Sequence, residues 1–498
     1  MVNLSTLDYT LIIIFFSITL FIGVWVSKKS GKDSGEFFLS GRTMPWWLLG
    51  LSMVATTFST DTPNFVTNVV RENGVSGNWV WWAMLLTGLL TVFVYAKLWR
   101  KSNVNTDLEF YELRYGGKPG RFLRKFRAIY LGIIFNVITM SAVTLAAIKI
   151  GGIMLGLEPW QTVISAGLIT VVFSALGGFK GVVYTDFILF FVAMGGAIGA
   201  AYYLINIPEV GGIEALMSNE NVVDKLSILP DFSNTETVIT LLIIPFAVQW
   251  WSSWYPGSEP GGGGYIAQRM LAAKDENHAI GATFFFNIMH YALRPWPWII
   301  VGLACLVLYP DLAGDDLKNG YVYAMRDYMP EGFKGLMLVG FIGAYMSTIS
   351  THLNWGASYI VNDIIKLETK ITEKQEILYG RITTVVLMAM AAVISTKMTS
   401  ISGAWVFIME CGAGLGMVLI LRWYWWRINI WSEISATIAP IFGYTIAKYI
   451  IAPMYKNGDS NVFIENEGIL LVTTLFTTIV WLIVTYMTKP TKEEKLIS

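Results

Sequence analysis

Charge is scarce in this chain. Of its 498 residues only 14% are Asp, Glu, Lys or Arg, against about a quarter in a soluble domain. That is too little to clothe a water-facing surface. The formal net charge is +0, which removes the electrostatic footprint of a nucleic-acid partner. The 2 cysteines, Cys305 and Cys411, lie inside apolar runs, so they offer no disulfide framework or metal-ligand spacing and read as small buried hydrophobes. The 3 histidines, His278, His290 and His352, are too scattered for a metal cluster. No nucleophile stands with a base and no metal ligands cluster, so the chain reads as no enzyme. The glycine run at 261–264 lacks the Gly-Lys-Ser/Thr ending of a phosphate cradle and reads as a hinge.

Apolar residues are what the chain has instead: 54% are hydrophobic and the mean hydropathy is +0.55. Windows of about 20 apolar residues, the length that crosses a bilayer core, fall at 7–27, 46–70, 77–97, 127–152, 159–177, 184–205, 237–255, 280–308, 334–362, 376–396, 402–421, 429–451 and 467–487. The first has no basic flank before it and no small-residue cleavage site after it, so it reads as a retained span. The expectation is an all-α membrane protein of about 13 transmembrane helices. With the N-terminus outside, most Lys and Arg fall in inside loops, the cytoplasmic side of such proteins, and the C-terminus is cytoplasmic. One long inside connection (98–126) is matched five helices later by a long outside one (309–333). That is the pattern of two inverted five-helix repeats, 46–205 and 237–421, with a leading helix at 7–27 and two trailing helices at 429–487.

Polar groups inside the spans carry the functional information, because lipid penalises them. The segment Ala55-Thr56-Thr57-Phe58-Ser59-Thr60-Asp61-Thr62-Pro63-Asn64 weakens a helix at mid-membrane: proline removes a donor, and Ser/Thr hydroxyls compete for nearby carbonyls. Freed carbonyls are hard oxygen ligands for a small cation; the alternative is a Ser/Thr helix seam with a proline kink. In the span 334–362, Ala344, Ser347 and Thr348 share one helical face at i, i+3, i+4. Neutral oxygens suit a monovalent cation, since a divalent one usually recruits carboxylates. Asp186 opens a span on the cytoplasmic side, either as a helix N-terminal carboxylate or as an ion-exit residue. Asn287, His290 and Arg294 form a polar face that must look into a cavity or a polar partner. Trp250, Trp251, Trp254 and Tyr255 suit an interfacial belt. Glu410 lies buried in the span 402–421 as a neutral or paired carboxylate.

The chain resembles the sodium:solute symporter family, which includes proline, sugar and sialate co-transporters. The resemblance runs from Phe37-Phe38 to Arg427 and rests on Trp46-Trp47 with Ala55, Gly177-Gly178 leading to Tyr184-Thr185-Asp186, Gln268-Arg269 with Ala272-Ala273-Lys274, and Ala344 with Ser347-Thr348. It implies a leucine-transporter-like fold. It also implies a sodium site of backbone carbonyls at Ala55, Phe58 and Ala344 and hydroxyls at Ser347 and Thr348. Thr56, Asp186 and Ser350 fall where some members hold a second sodium or release the ion. The chain departs from sugar-carrying members at Thr57, Thr62, His290 and Trp405, and Leu189 stands where the family usually has Gln.

The expected function is sodium-coupled symport of a small polar organic solute (a sugar, sugar acid or amino acid) into the cell by alternating access, with Na+ as coupling ion. The alternative is a proton-coupled or sodium-independent transporter on the same fold. Thr60, Asp61, Asn64, Trp81, Trp251, Tyr255 and His290 are the candidate solute lining. The protein is expected in a bacterial inner membrane, in contact with the lipid bilayer and working as a monomer.

Overall fold

The computed structural model describes residues 4–30, 33–253, 259–455 and 467–497. Among these residues the chain is helical and its only β pairing is an isolated bridge, Met44 with Ala273. Among the described residues nine helices are long and apolar enough to cross a membrane, with a bent pair making up to ten. Long apolar runs become helices because lipid offers no partner for backbone N–H and C=O groups. In chain order the elements that matter are α1 (Thr6–Ser30), α2 (Trp46–Thr57), α3 (Thr62–Asn73), α4 (Val75–Ser102), α5 (Gly117–Leu155), α6 (Pro159–Ile205), α7 (Gly264–Ala272), α8 (Glu276–Leu308), α9 (Phe333–Glu368), α10 (Glu373–Ser395), α11 (Ile401–Gly412), α12 (Leu415–Leu421), α13 (Ile430–Met454) and α14 (Gly468–Met487). Short α and π segments fill Thr235–Ser252 between α6 and α7.

The central strut is α9. In its most apolar stretch 89% of residues are buried, against 22% in α1, so α9 belongs to the protein interior and α1 faces outward. It packs along α6, α10, α1 and α5. Phe15 of α1, Leu189 of α6 and Tyr345, Met346 and Ile349 of α9 share one buried apolar cluster.

Two expected spans, 159–177 and 184–205, are joined as α6. The helix breaks at Gly178, whose φ of 54° and ψ of −161° lie outside helical space. A Cβ there would stand 2.9 Å from the Phe37 carbonyl oxygen, so the kink needs both glycine's left-handed freedom and its missing side chain. Gly178→Ala is expected to cost about 1–3 kcal/mol, read as a lower melting temperature of the purified protein. An unchanged melting temperature would show that the kink does not depend on glycine.

The expected span 402–421 is the bent pair α11–α12, turned by 50° at Ala413–Gly414, where Gly414 has φ 88°. At one end of the bundle Arg124 of α5 pairs with Asp363 of α9 at 2.5 Å and with Glu109 at 3.0 Å. This fixes the connection before α5 to the far end of the strut.

Candidate functional site

Local chemistry dictates the break between α2 and α3. Phe58 is extended, with φ −114° and ψ 138°, and α3 resumes at Thr62 with Pro63 in its first turn, where proline's missing N–H has no helical partner to lose. Side chains take over the backbone's bonds in between. Thr57 Oγ1 donates to the Met53 carbonyl at 2.6 Å, the Ser59 N–H donates to Thr62 Oγ1 at 3.0 Å, and the Ser59 hydroxyl donates to Asp61 Oδ1.

Carbonyls released by the break meet α9. Thr348 Oγ1 lies 3.1 Å from the Thr56 carbonyl oxygen and 3.2 Å from that of Phe58. A hydroxyl carries one proton, so it can serve only one of these carbonyls at a time. Ala55 and Ala344 are buried on the same two helices, Ala344 one turn before Thr348.

Next to this contact Asp186 of α6 holds a fully buried carboxylate. Ser347 Oγ donates to its Oδ1 at 2.6 Å and Ser52 Oγ to its Oδ2 at 2.5 Å. Arg269 of α7 stands 3.6 Å from Oδ2, with both side chains 0% exposed. The same guanidinium donates to Ser52 Oγ at 3.1 Å, Thr56 Oγ1 at 3.2 Å and Thr351 Oγ1 at 2.7 Å. One polar cluster therefore ties α2, α6, α7 and α9 together. Ser350 lies aside: its hydroxyl donates to the Ser347 carbonyl of its own helix at 3.2 Å.

A cavity of about 290 Å³ opens on the other side of the break. Asp61, Trp81 and His290 of the expected lining reach it, and Gln249, Arg294 and Trp405 join them. Trp405 Nε1 donates to Asp61 Oδ2 at 2.9 Å. Thr60, Asn64 and Trp251 do not line it. The Thr60 hydroxyl donates to the Val143 carbonyl at 3.2 Å, and Trp251 Nε1 donates to the Ala247 carbonyl at 2.7 Å. Tyr255, with Trp254, lies outside the described residues.

Sequence reasoning named Arg294 only as part of a polar face, and Trp405 only as a departure from sugar carriers. Arg269 entered only as part of a motif. A signal was there for Arg294, because a guanidinium inside a membrane span requires an anion, a dipole or an aromatic face; Arg269 lies between the expected spans 237–255 and 280–308, where hydropathy gives none.

Residues 37–439 match the sodium:solute symporter family. The chain belongs to the sodium:solute symporter family. It is 23% identical to the sodium/glucose cotransporter of Vibrio parahaemolyticus over 480 residues, covering 88% of this chain and 84% of that protein. It is 23% identical to the sodium/sialic acid symporter of Aliivibrio fischeri over 497 residues, covering 91% and 94%. It spans 62% of the length of mouse solute carrier family 5 member 4B, at 26% identity over 77% of this chain. In fold it is similar to a Na+-coupled sialic acid symporter solved in a substrate-bound outward-open state, with a TM-score of 0.79 at 18% identity over 99% of this chain and 100% of that one. A more distant likeness, at a TM-score of 0.51 and 14% identity, joins 89% of it to 99% of MhsT solved with L-phenylalanine. As a symporter-family member the chain is a multi-pass membrane transporter and not an enzyme. Na+ is its coupling ion and a small molecule its passenger.

Proposed function

We propose that the chain carries a small polar organic solute inward with Na+ by alternating access, through about 13 transmembrane helices: inverted five-helix repeats 46–205 and 237–421, a leading helix at 7–27 and two trailing helices at 429–487. The N-terminus is outside and the C-terminus cytoplasmic, in a bacterial inner membrane, and the working unit is a monomer. One observation carries the reading of the ion site: the Thr348 hydroxyl lies within hydrogen-bond distance of the Thr56 and Phe58 carbonyls at the break. A cation there takes the Phe58 carbonyl and the lone pairs of the Thr348 hydroxyl, and the Ala55 and Ala344 carbonyls and the Ser347 hydroxyl complete its ligand set. Binding then clamps the broken helix to the strut. The solute cavity begins only a few residues further along the same break, so ion and solute affinities are coupled reciprocally.

The Asp186 cluster supports a coupling of one sodium per solute. Its carboxylate already faces the chain's own cation, Arg269, and two hydroxyls. We therefore assign Asp186, with Thr56 beside it, to an internal ion pair that positions Ser347 rather than to a second sodium. This arrangement also disfavours Asp186 as a proton carrier. In proteoliposomes with an inward sodium gradient, solute uptake is expected to rise with sodium at a Hill coefficient of about 1, and to vanish when choline replaces sodium. A coefficient near 2 would contradict the single-ion assignment, and uptake undiminished in choline would contradict sodium coupling.

A further inference from the structure

Arg294 and His290 set the chemistry of the cavity. Both line it, and they are 2% and 5% exposed. The Arg294 guanidinium lies over the rings of Trp298 at 5.1 Å and Phe58 at 5.4 Å, and its Nη2 is 3.4 Å from His290 Nε2. A guanidinium can only donate, so Nε2 accepts and the ring's proton stands on Nδ1. That Nδ1 has no hydrogen-bond partner among the described residues. The cavity thus presents a fixed positive charge and a buried N–H donor side by side. Asp61 also lines the cavity; it accepts from Trp405 Nε1 at 2.9 Å and from Ser59, and its oxygens keep lone pairs for further donors. Trp81 and Tyr291 supply aromatic walls, with centroids 6.1 Å apart and planes 25° apart.

Resting on the cavity as the solute site, we infer that the passenger bears a carboxylate held by Arg294 and the His290 Nδ1–H, with hydroxyl or ammonium donors at its other end toward Asp61. Arg294 is then a specificity-determining residue. A doubly charged phosphate fits less well, because Asp61 and Glu467 share the cavity and repel a second negative charge. The assignment also gives a route for coupling. A bound carboxylate fixes the guanidinium that lies on the Phe58 ring, and the Phe58 carbonyl is a proposed sodium ligand. Solute binding thus steadies the ion site through one residue.

The test is equilibrium binding to purified protein in sodium, with N-acetylneuraminate, D-glucuronate, D-gluconate and L-proline as carboxylate probes. D-galactose and the methyl esters of the same acids are the neutral counterparts. The expected result is that at least one carboxylate binds and its methyl ester does not. The sugar acids against L-proline separate hydroxyl from ammonium donors at the Asp61 end. Arg294→Gln is expected to weaken that probe about ten- to a hundredfold, the scale of a lost hydrogen bond to a charged group, and Arg294→Lys by less. His290→Phe keeps the ring packing, removes the donor and should weaken the probe about tenfold. It serves as the second variant if Arg294→Gln does not fold, with sodium-induced thermal stabilisation as the check on folding. No carboxylate binding while that stabilisation is intact overturns the inference. So does D-galactose bound equally by wild type and Arg294→Gln yet lost in Trp405→Ala, a result that leaves the cavity reading standing. A carboxylate whose affinity is unmoved by Trp81→Ala and Trp405→Ala overturns the cavity reading itself.

Discussion

Ser347→Ala/Thr348→Ala is expected to abolish sodium-driven uptake in proteoliposomes and to lower sodium affinity by at least about a hundredfold. The magnitude follows from removing two oxygen dipoles from a bound cation. A hydrogen bond to a charged group contributes about 1.5–3 kcal/mol, so two such contacts exceed the roughly 2.7 kcal/mol that a hundredfold change represents. The fold should tolerate the change. Thr348 donates only to carbonyls at a break that already has side-chain substitutes for its helical bonds, and Asp186 keeps Ser52 and Arg269. The double variant should therefore melt near the wild-type temperature in choline, and differ from wild type in failing to gain stability when sodium is added. Wild-type sodium dependence in this variant would remove the cage assignment.

A different outcome is expected one contact away. Asp186→Asn leaves Arg269 charged, 0% exposed and without its carboxylate, and breaking a buried pair from one side costs about 3–5 kcal/mol. The variant should purify poorly and melt well below wild type. Asp186→Asn/Arg269→Gln should recover most of that loss, because no lone charge remains. A single variant as stable as wild type would mean that the pair does not hold α6 to α7. The same comparison separates roles within one cluster: Thr348 acts on sodium affinity, and Asp186 acts first on the assembly of the four helices around it.

The broken helix was legible because its cause is local: hydroxyl side chains and Pro63 sit within one stretch of chain, and each weakens the helix where it stands. The hydroxyl stripe of α9 was legible for the same reason, since i, i+3, i+4 spacing is a property of one helix. Arg269 was not assigned a role, because its role exists only where four helices distant in sequence converge. Not every residue of the expected solute lining reaches the cavity, and the reason is again physical. Unwound backbone has no periodic face, so phase is lost across 58–61. Thr60 turns to the Val143 carbonyl, and Asn64 falls outside the cavity while Asp61 reaches it. Tryptophans at the end of a helix can bond to their own backbone, as Trp251 does; Trp405, on a distant helix, supplies the indole that faces Asp61. The two spans joined through Gly178 were separable in hydropathy, yet the kink that joins them depends on a glycine approaching the Phe37 carbonyl.

The most direct test of the central claim, that the Thr348 contact with the α2–α3 break is the sodium site, is equilibrium binding of ²²Na⁺ to the purified protein and to Thr348→Ala. The account predicts saturable binding of one ion per chain in the wild type and loss of that binding in Thr348→Ala with the melting temperature in choline unchanged. Equal sodium binding by the two proteins would contradict it.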